Sequence, residues 1–148
     1  MTDATGLARA ALAAFASGET GDAERYIGAD YANLESSDRS TARGPAEFRE
    51  TVQWMHRSFA DIRYDEIAIL ADDRQAIAWV VMHATHIAPF LGIPADQRKV
   101  AVEQVHLFRV EEGRLTGHRA VRDDLRLLLM IGARVTRPDG APLAVHQR

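Results

Sequence analysis

No cysteine occurs in the 148-residue chain. That absence excludes disulfides, thiolate nucleophiles and cysteine-based metal sites. A basic surplus is missing too: 18 Lys and Arg against 21 Asp and Glu leave a formal net charge of −3. So weak a balance gives no electrostatic reason to expect nucleic acid or an anionic membrane as a partner. No apolar run is longer than Ala76 to Met82, far short of the roughly 20 residues that a membrane-spanning helix needs. The N-terminus MTDATGLARA is acidic and polar, and Arg9 interrupts its alanines. No signal peptide is therefore expected, and the cytoplasm is the default location. There is no glycine-rich phosphate loop, no nucleophile elbow and no zinc spacing. His83 and His86 do not suggest a metal site either, because residues three apart on a strand point to opposite faces.

What is present is ordinary for a globular domain: 47% apolar and 26% charged residues. The length suits one domain with a real core. Leu7, Ala11, Ala14 and Phe15 form a helical stripe that Gly18 ends. Gly21 to Ile27 reads as a short second helix. Asp30 to Glu35 reads as a strand leading into a polar loop, Ser36 to Arg43. Gly44-Pro45 opens a third helix whose buried stripe is Phe48, Val52, Met55 and Phe59. Trp54 lies at the margin of that stripe, either packing there or forming an aromatic wall for a ligand. Ile62 to Leu70 is a strand whose parity slips, so a bulge is expected near Asp65-Glu66. Gln75 to His86 is a long strand rich in β-branched and aromatic residues. The architecture expected is α+β, helices first and an antiparallel sheet after them. Residues 134–148 carry two prolines and a Pro-Asp-Gly turn, and read as a tail to a domain spanning residues 1–133.

The stretch Val100 to Gly132 carries the chemistry. Val100, Val102, Gln104, His106, Phe108 and Val110 alternate onto one face of a strand. Glu111-Glu112-Gly113 is a hairpin turn in which Gly113 supplies a positive φ. On the returning strand, strict alternation puts Leu115, Gly117, Arg119, Val121 and Asp123 on one face and His118 and Arg122 on the other. An otherwise apolar surface would then hold Gln104, His106, Arg119 and Asp123, and polar groups there must be paired or used.

The segment FRVEEGRLTGHRAVRDDLRLLLMIGA resembles the C-terminal signature of SnoaL-like polyketide cyclases, of the nuclear-transport-factor-2-like superfamily. GPAEFRETVQWMHRSFADIRY and THIAPFLGIPADQRKV extend the resemblance over roughly Leu7 to Ala133. It implies a cone-shaped α+β barrel, three N-terminal helices packed in a strongly curved antiparallel sheet with a cavity at one end. It also implies a cofactor-independent cyclase, with no metal, acting on a hydrophobic small molecule, and a homodimer paired through an outer sheet face that here offers Val105 and Leu107. In the family's pattern Asp123 is the acid/base. The bare sequence allows a second role for it, as the N-cap of the following helix. Gln104 and His106 would surround the carboxylate and stabilise charge on oxygen, though His106 also fits a satisfied core histidine. His86, Asn33, Tyr31, Trp54 and Phe108 are the candidate pocket lining. Arg119 stands where the family commonly has Trp. Pointing inward it would pair with Asp123 or bind an anionic substrate; pointing outward it is a surface charge. Met130 replaces a usual Gln, and Ala88 a usual Gly. Aldol-type ring closure is the reaction implied. A pericyclic closure driven by substrate folding, or a ligand-binding module without turnover, are the alternatives.

Overall fold

The structure is a computed structural model describing residues 3–34 and 41–143. Helix α1, Ala4–Ser17, starts where the Asp3 side chain accepts a hydrogen bond from the Gly6 N–H at 2.7 Å. It ends at Gly18, which takes the left-handed conformation at φ 80°. Between these caps the helix buries Leu7, Ala8, Ala11, Leu12, Ala14 and Phe15. The expected second helix is only a 3-10 turn, Ala23–Arg25, and Gly28 already lies in strand β1, Ile27–Asn33. Three residues cannot complete an α-helical ladder, so that turn is stabilised by its neighbours rather than by itself.

Helix α2, Gly44–Ser58, has Pro45 in its first turn and buries Phe48 and Val52. Phe59, expected on its stripe, instead opens β2, Phe59–Ala71. Strand β3 is Gln75–His86, β4 is Lys99–Glu111 and β5 is Arg114–Arg122. Helix α3, Asp124–Met130, follows at once. Most of the polar loop expected at 36–43 lies outside the described residues. Among the described residues no helix is long and apolar enough to cross a membrane.

The strands form one sheet in the order β1-β5-β4-β3-β2. It is mixed rather than purely antiparallel, because β1 runs parallel to β5. Helices α1 and α2 supply the buried apolar residues that pack with the inner face of the sheet. The turn between β4 and β5 has both Glu112 (φ 50°) and Gly113 (φ 71°) in the left-handed region, the pattern of a two-residue hairpin turn whose twist matches its strands.

Register shifts decide which side chains face the helices. In β2 one shift falls between Ala60 and Arg63 and a second between Glu66 and Ala68, the second one residue beyond the expected bulge. That second shift leaves Ile67 exposed and turns Ile69 inward. In β5, Arg109 pairs with Gly117 but Val110 pairs with Leu115, so Thr116 is an extra residue. A bulge of one residue reverses the faces of everything beyond it. Leu115 therefore points inward, and so do His118 and Ala120, while Arg119 and Val121 are exposed. The strict alternation expected for β5 holds only at its first residues.

The residues 134–143 form a small turn, with Thr136 bridged to Pro142 and the Arg137 N–H bonded to the Ala141 carbonyl at 2.8 Å.

Gly44 fixes where α2 starts. Its φ is 69°, and a Cβ there would lie 2.7 Å from the Ala29 carbonyl oxygen of β1. Both the backbone conformation and the close approach require glycine. Gly44→Ala is expected to destabilise the fold by about 1–3 kcal/mol, read as a lower urea midpoint with an unchanged slope.

Candidate functional site

Two apolar clusters fill the interior. One gathers α1, β1 and the inner residues of α2, including Phe15, Tyr31, Phe48, Phe108 and Leu115. The other gathers Phe59, Ile62, Met82, Val100, Val102, Leu127 and Ile131. Tyr64 and Met55 pack against both, and so mark the seam between them. The polar side chains of the inner face lie beside this seam. Gln104, His106 and His118 are all buried at 4% exposure. His106 Nε2 lies 2.9 Å from Gln104 Oε1, and His106 Nδ1 lies 2.9 Å from His118 Nε2. Among the described residues, the Gln104 amide nitrogen has only the Met82 sulfur, at 3.5 Å. Tyr64 stands edge-on to His106, with ring centroids 5.9 Å apart. Phe108 stacks on His118 at 4.9 Å, and Phe15 lies 5.6 Å from the same ring.

Burial sets the charge state of this row. It pushes His106 down to about 3, and the nearby Arg122 guanidinium adds to the effect. His118 is driven well below its usual value by burial, then by His106 and Arg122. Burial also raises the Tyr64 phenol, which stays protonated as a donor. Among the described residues, the Tyr64 hydroxyl and His118 Nδ1 have no hydrogen-bond partner. Each such buried group costs about 1–3 kcal/mol, so packing alone does not account for this layer.

Gln104 and His106 thus lie together, and Phe108 stacks on His106 at 6.0 Å. Asp123 does not join them. It is exposed and N-caps α3, its carboxylate accepting from the Arg126 N–H at 3.0 Å. The Thr116 bulge, together with the immediate start of α3, turns it away from the expected face. Its backbone N–H still bonds the Glu103 carbonyl at 3.2 Å, beside the register pair Gln104–Arg122. Arg119 is exposed on the outer face, so the inward pairing with Asp123 is overturned by the same bulge.

The remaining candidates divide between the two clusters. Asn33 ties β1 to α2: its amide donates to Thr51 Oγ1 at 3.2 Å and its backbone N–H to Glu47 Oε2 at 3.1 Å. Tyr31 is fully buried, edge-on to Phe48 at 5.8 Å, and burial raises its phenol. His86 is fully buried and stacks on Phe59 at 5.5 Å; neither of its ring nitrogens has a partner among the described residues. Trp54 is half-buried and meets Phe90 at 5.5 Å. His83 bonds Asp65 at 2.8 Å on a half-buried face.

Cavities of about 770 Å³ and about 270 Å³ open on the β1 and β5 side of the sheet. The first lies at the β1 and hairpin end, by Asp30, Arg109 and Glu112, and the second beside Leu34, Leu107 and Arg119, reaching His118 of the buried row. The larger is lined mainly by exposed residues of β1 and the hairpin, with Ile27 buried beneath them. The buried titratable groups sit at the seam instead.

Sequence reasoning missed His118 and Tyr64 as interior polar groups. The available signal was Gly117, since glycine inside a strand often marks a bulge.

Residues 5–130 match the family described as SnoaL-like polyketide cyclase. The chain belongs to that family. Among curated SnoaL-like relatives, the nogalonic acid methyl ester cyclase of Streptomyces nogalater is 30% identical over 122 residues, covering 82% of this chain and 91% of that protein. The aklanonic acid methyl ester cyclase DnrD of Streptomyces peucetius is 27% identical over 136 residues, covering 90% and 94%. In fold the chain is similar to TsrD from Streptomyces laurentii, with a TM-score of 0.75 at 22% identity over 86% of this chain and 93% of that one. Family membership makes the protein a member of a class of enzymes, the polyketide cyclases.

The neutral histidine pair has a consequence for stability. The folded state holds His106 at about 3 against an ordinary 6.5, so below pH 6.5 the unfolded chain takes up protons that the folded one refuses. Stability is expected to fall as pH falls from about 6.5 towards 3, by up to about 1.4 kcal/mol per pH unit for each ring. Urea midpoints between pH 7 and pH 5 measure this. His118→Phe, which removes one of the two rings, is expected to make the slope shallower.

Proposed function

We propose that the protein is a cofactor-independent cyclase that closes a ring in a polyketide-type intermediate by an intramolecular aldol step. The supporting observation is the buried row Gln104–His106–His118 at the seam of two apolar clusters, in a chain of this family. In such a closure, a base removes a proton from a carbon activated by a neighbouring carbonyl. That carbon then bonds to a second carbonyl carbon, and the resulting alkoxide takes a proton back. Mass is unchanged. Negative charge gathers on oxygen twice, first as enolate and then as alkoxide, and fixed donors in a dry site stabilise it strongly. Here those donors are the Gln104 amide and the Tyr64 hydroxyl. The apolar clusters, with Trp54 and Phe90 at their edge and His86 within, would fold the substrate so that the two carbons meet.

Asp123 is the proton acceptor in this reading. It is exposed one residue beyond the register partner of Gln104, and to act it must turn in from the outer face and release the Arg126 N–H, a cap worth about 1 kcal/mol. The substrate class is a methyl ester of a polyketide acid, as the relatives' names suggest for those proteins. Incubation with aklanonic acid methyl ester is expected to give an isomer of unchanged mass, seen by chromatography with mass spectrometry. Binding of that ester without any isomer would favour a ligand-binding module.

The engagement of Asp123 as a cap favours a second reading, in which substrate folding alone drives closure. Asp123→Asn separates them, because asparagine caps as well as aspartate. Proton transfer by Asp123 predicts a fall in kcat of about a hundredfold or more. A loss below about tenfold assigns the reaction to folding.

A homodimer through the outer sheet face is part of the same proposal. Trp79, Val105 and Val121 lie side by side across β3, β4 and β5, with Trp79 42% and Val121 71% exposed. Ile77 and Leu107 form the next row. Sedimentation at micromolar concentration is expected to give a dimer, and Val121→Glu a monomer.

A further inference from the structure

The polarity of the buried row can be worked out from its chemistry. Gln104 Oε1 only accepts, so His106 Nε2 must carry the proton that lies between them. His106 is neutral and has one ring proton, so its Nδ1 accepts from His118 Nε2. His118 is likewise neutral, and its Nδ1 is then a bare lone pair. The chain of donors runs one way: His118 to His106, His106 to Gln104, and Gln104 to the Met82 sulfur.

The reverse chain is worse at both ends. With the Gln104 amide turned, His106 would donate through Nδ1 and His118 would be left with a buried Nδ1–H. That proton has no acceptor among the described residues, in a layer where Phe108 and Phe15 flank the ring. The Gln104 oxygen would then face the Met82 sulfur, two acceptors together. An orphaned buried N–H is rarer and dearer than an orphaned lone pair.

From this we infer that His118 is a positioning residue: its ring fixes the tautomer of His106 and so holds the Gln104 NH2 outward from the row, as a donor for a substrate oxygen. A thioether is a weak acceptor, so the last donor of the chain is under-used and open to a better partner. The bulge at Thr116 is what brings His118 to the inner face. The reading of the site as a cyclase underlies only the kinetic part of this inference; the tautomer stands apart from it.

The test uses the full-length protein with 15N-labelled histidine. Ring spectra are expected to show His106 and His118 both protonated at Nε2. A His106 proton on Nδ1 in the wild-type protein overturns the inference, whatever the activity. His118→Phe keeps the stack on Phe108 while removing the donor. In a folded His118→Phe variant, His106 is expected to lose its single tautomer, and kcat for ring closure to fall about tenfold to a hundredfold with a smaller change in KM. His118→Gln, whose amide reaches the same place, is expected to regain much of that loss. A folded His118→Phe variant with His106 still held as the Nε2 tautomer refutes the positioning role. If the wild type turns over no ester at all, the cyclase reading fails, and the spectra alone decide the role of His118.

Discussion

Strand β5 is one residue too long for its partner, and the inner face depends on how that mismatch is absorbed. Thr116 takes up the excess between Leu115 and Gly117. Without it, Arg119 and Val121 would be driven among Phe15 and Phe108, and His118 would be in solvent. An unpaired guanidinium there would cost far more than the ladder bond lost at a bulge. The hydrophobic demand of Leu115 on one side of the bulge and Ala120 on the other therefore selects the irregular strand over the regular one.

Once β5 is set, the polar layer follows. His118 reaches His106, and His106 reaches Gln104, because all three fall on the same side of paired strands. Burial keeps both rings neutral, and neutrality gives the row a direction. A charged ring anywhere in it would let both nitrogens donate and erase that direction. The layer is costly, with atoms on Tyr64 and His118 that have no partner among the described residues, and it lies between the two apolar clusters. Local conflict of this kind, in a fold otherwise consistent, is what the proposed site rests on.

Much of the architecture was legible beforehand. The boundaries of β3, the hairpin at Gly113, the glycine end of α1 and the inward face of β4 all follow from alternation, glycine placement and helical periodicity. Gln104, His106 and Phe108 were legible for the same reason, since β4 is regular along that stretch. Asp123 and Arg119 were misplaced because alternation was carried through Gly117 without a slip. Period-two reasoning has no memory of an inserted residue, and only the pairing with β4 reveals it. The parallel pairing of β1 with β5 was also hidden, because it depends on the path of the chain rather than on any local pattern. The family resemblance supplied the cone shape and the reaction class, which periodicity alone does not contain.

That parallel edge bears on how the chain reaches its native state. Strands β2 to β5 join neighbours in sequence and can zip together hairpin by hairpin. β1 must wait for β5, from which nearly the whole sheet separates it. Closing so wide a loop is entropically expensive until the intervening strands have assembled. During synthesis the α1–β1 segment leaves the ribosome before β5, and β1 finds its edge last. In the interval β2 and β3, the strands against which α1 packs, can already cover its apolar side, and only the β1 edge of the sheet waits for the C-terminal hairpin.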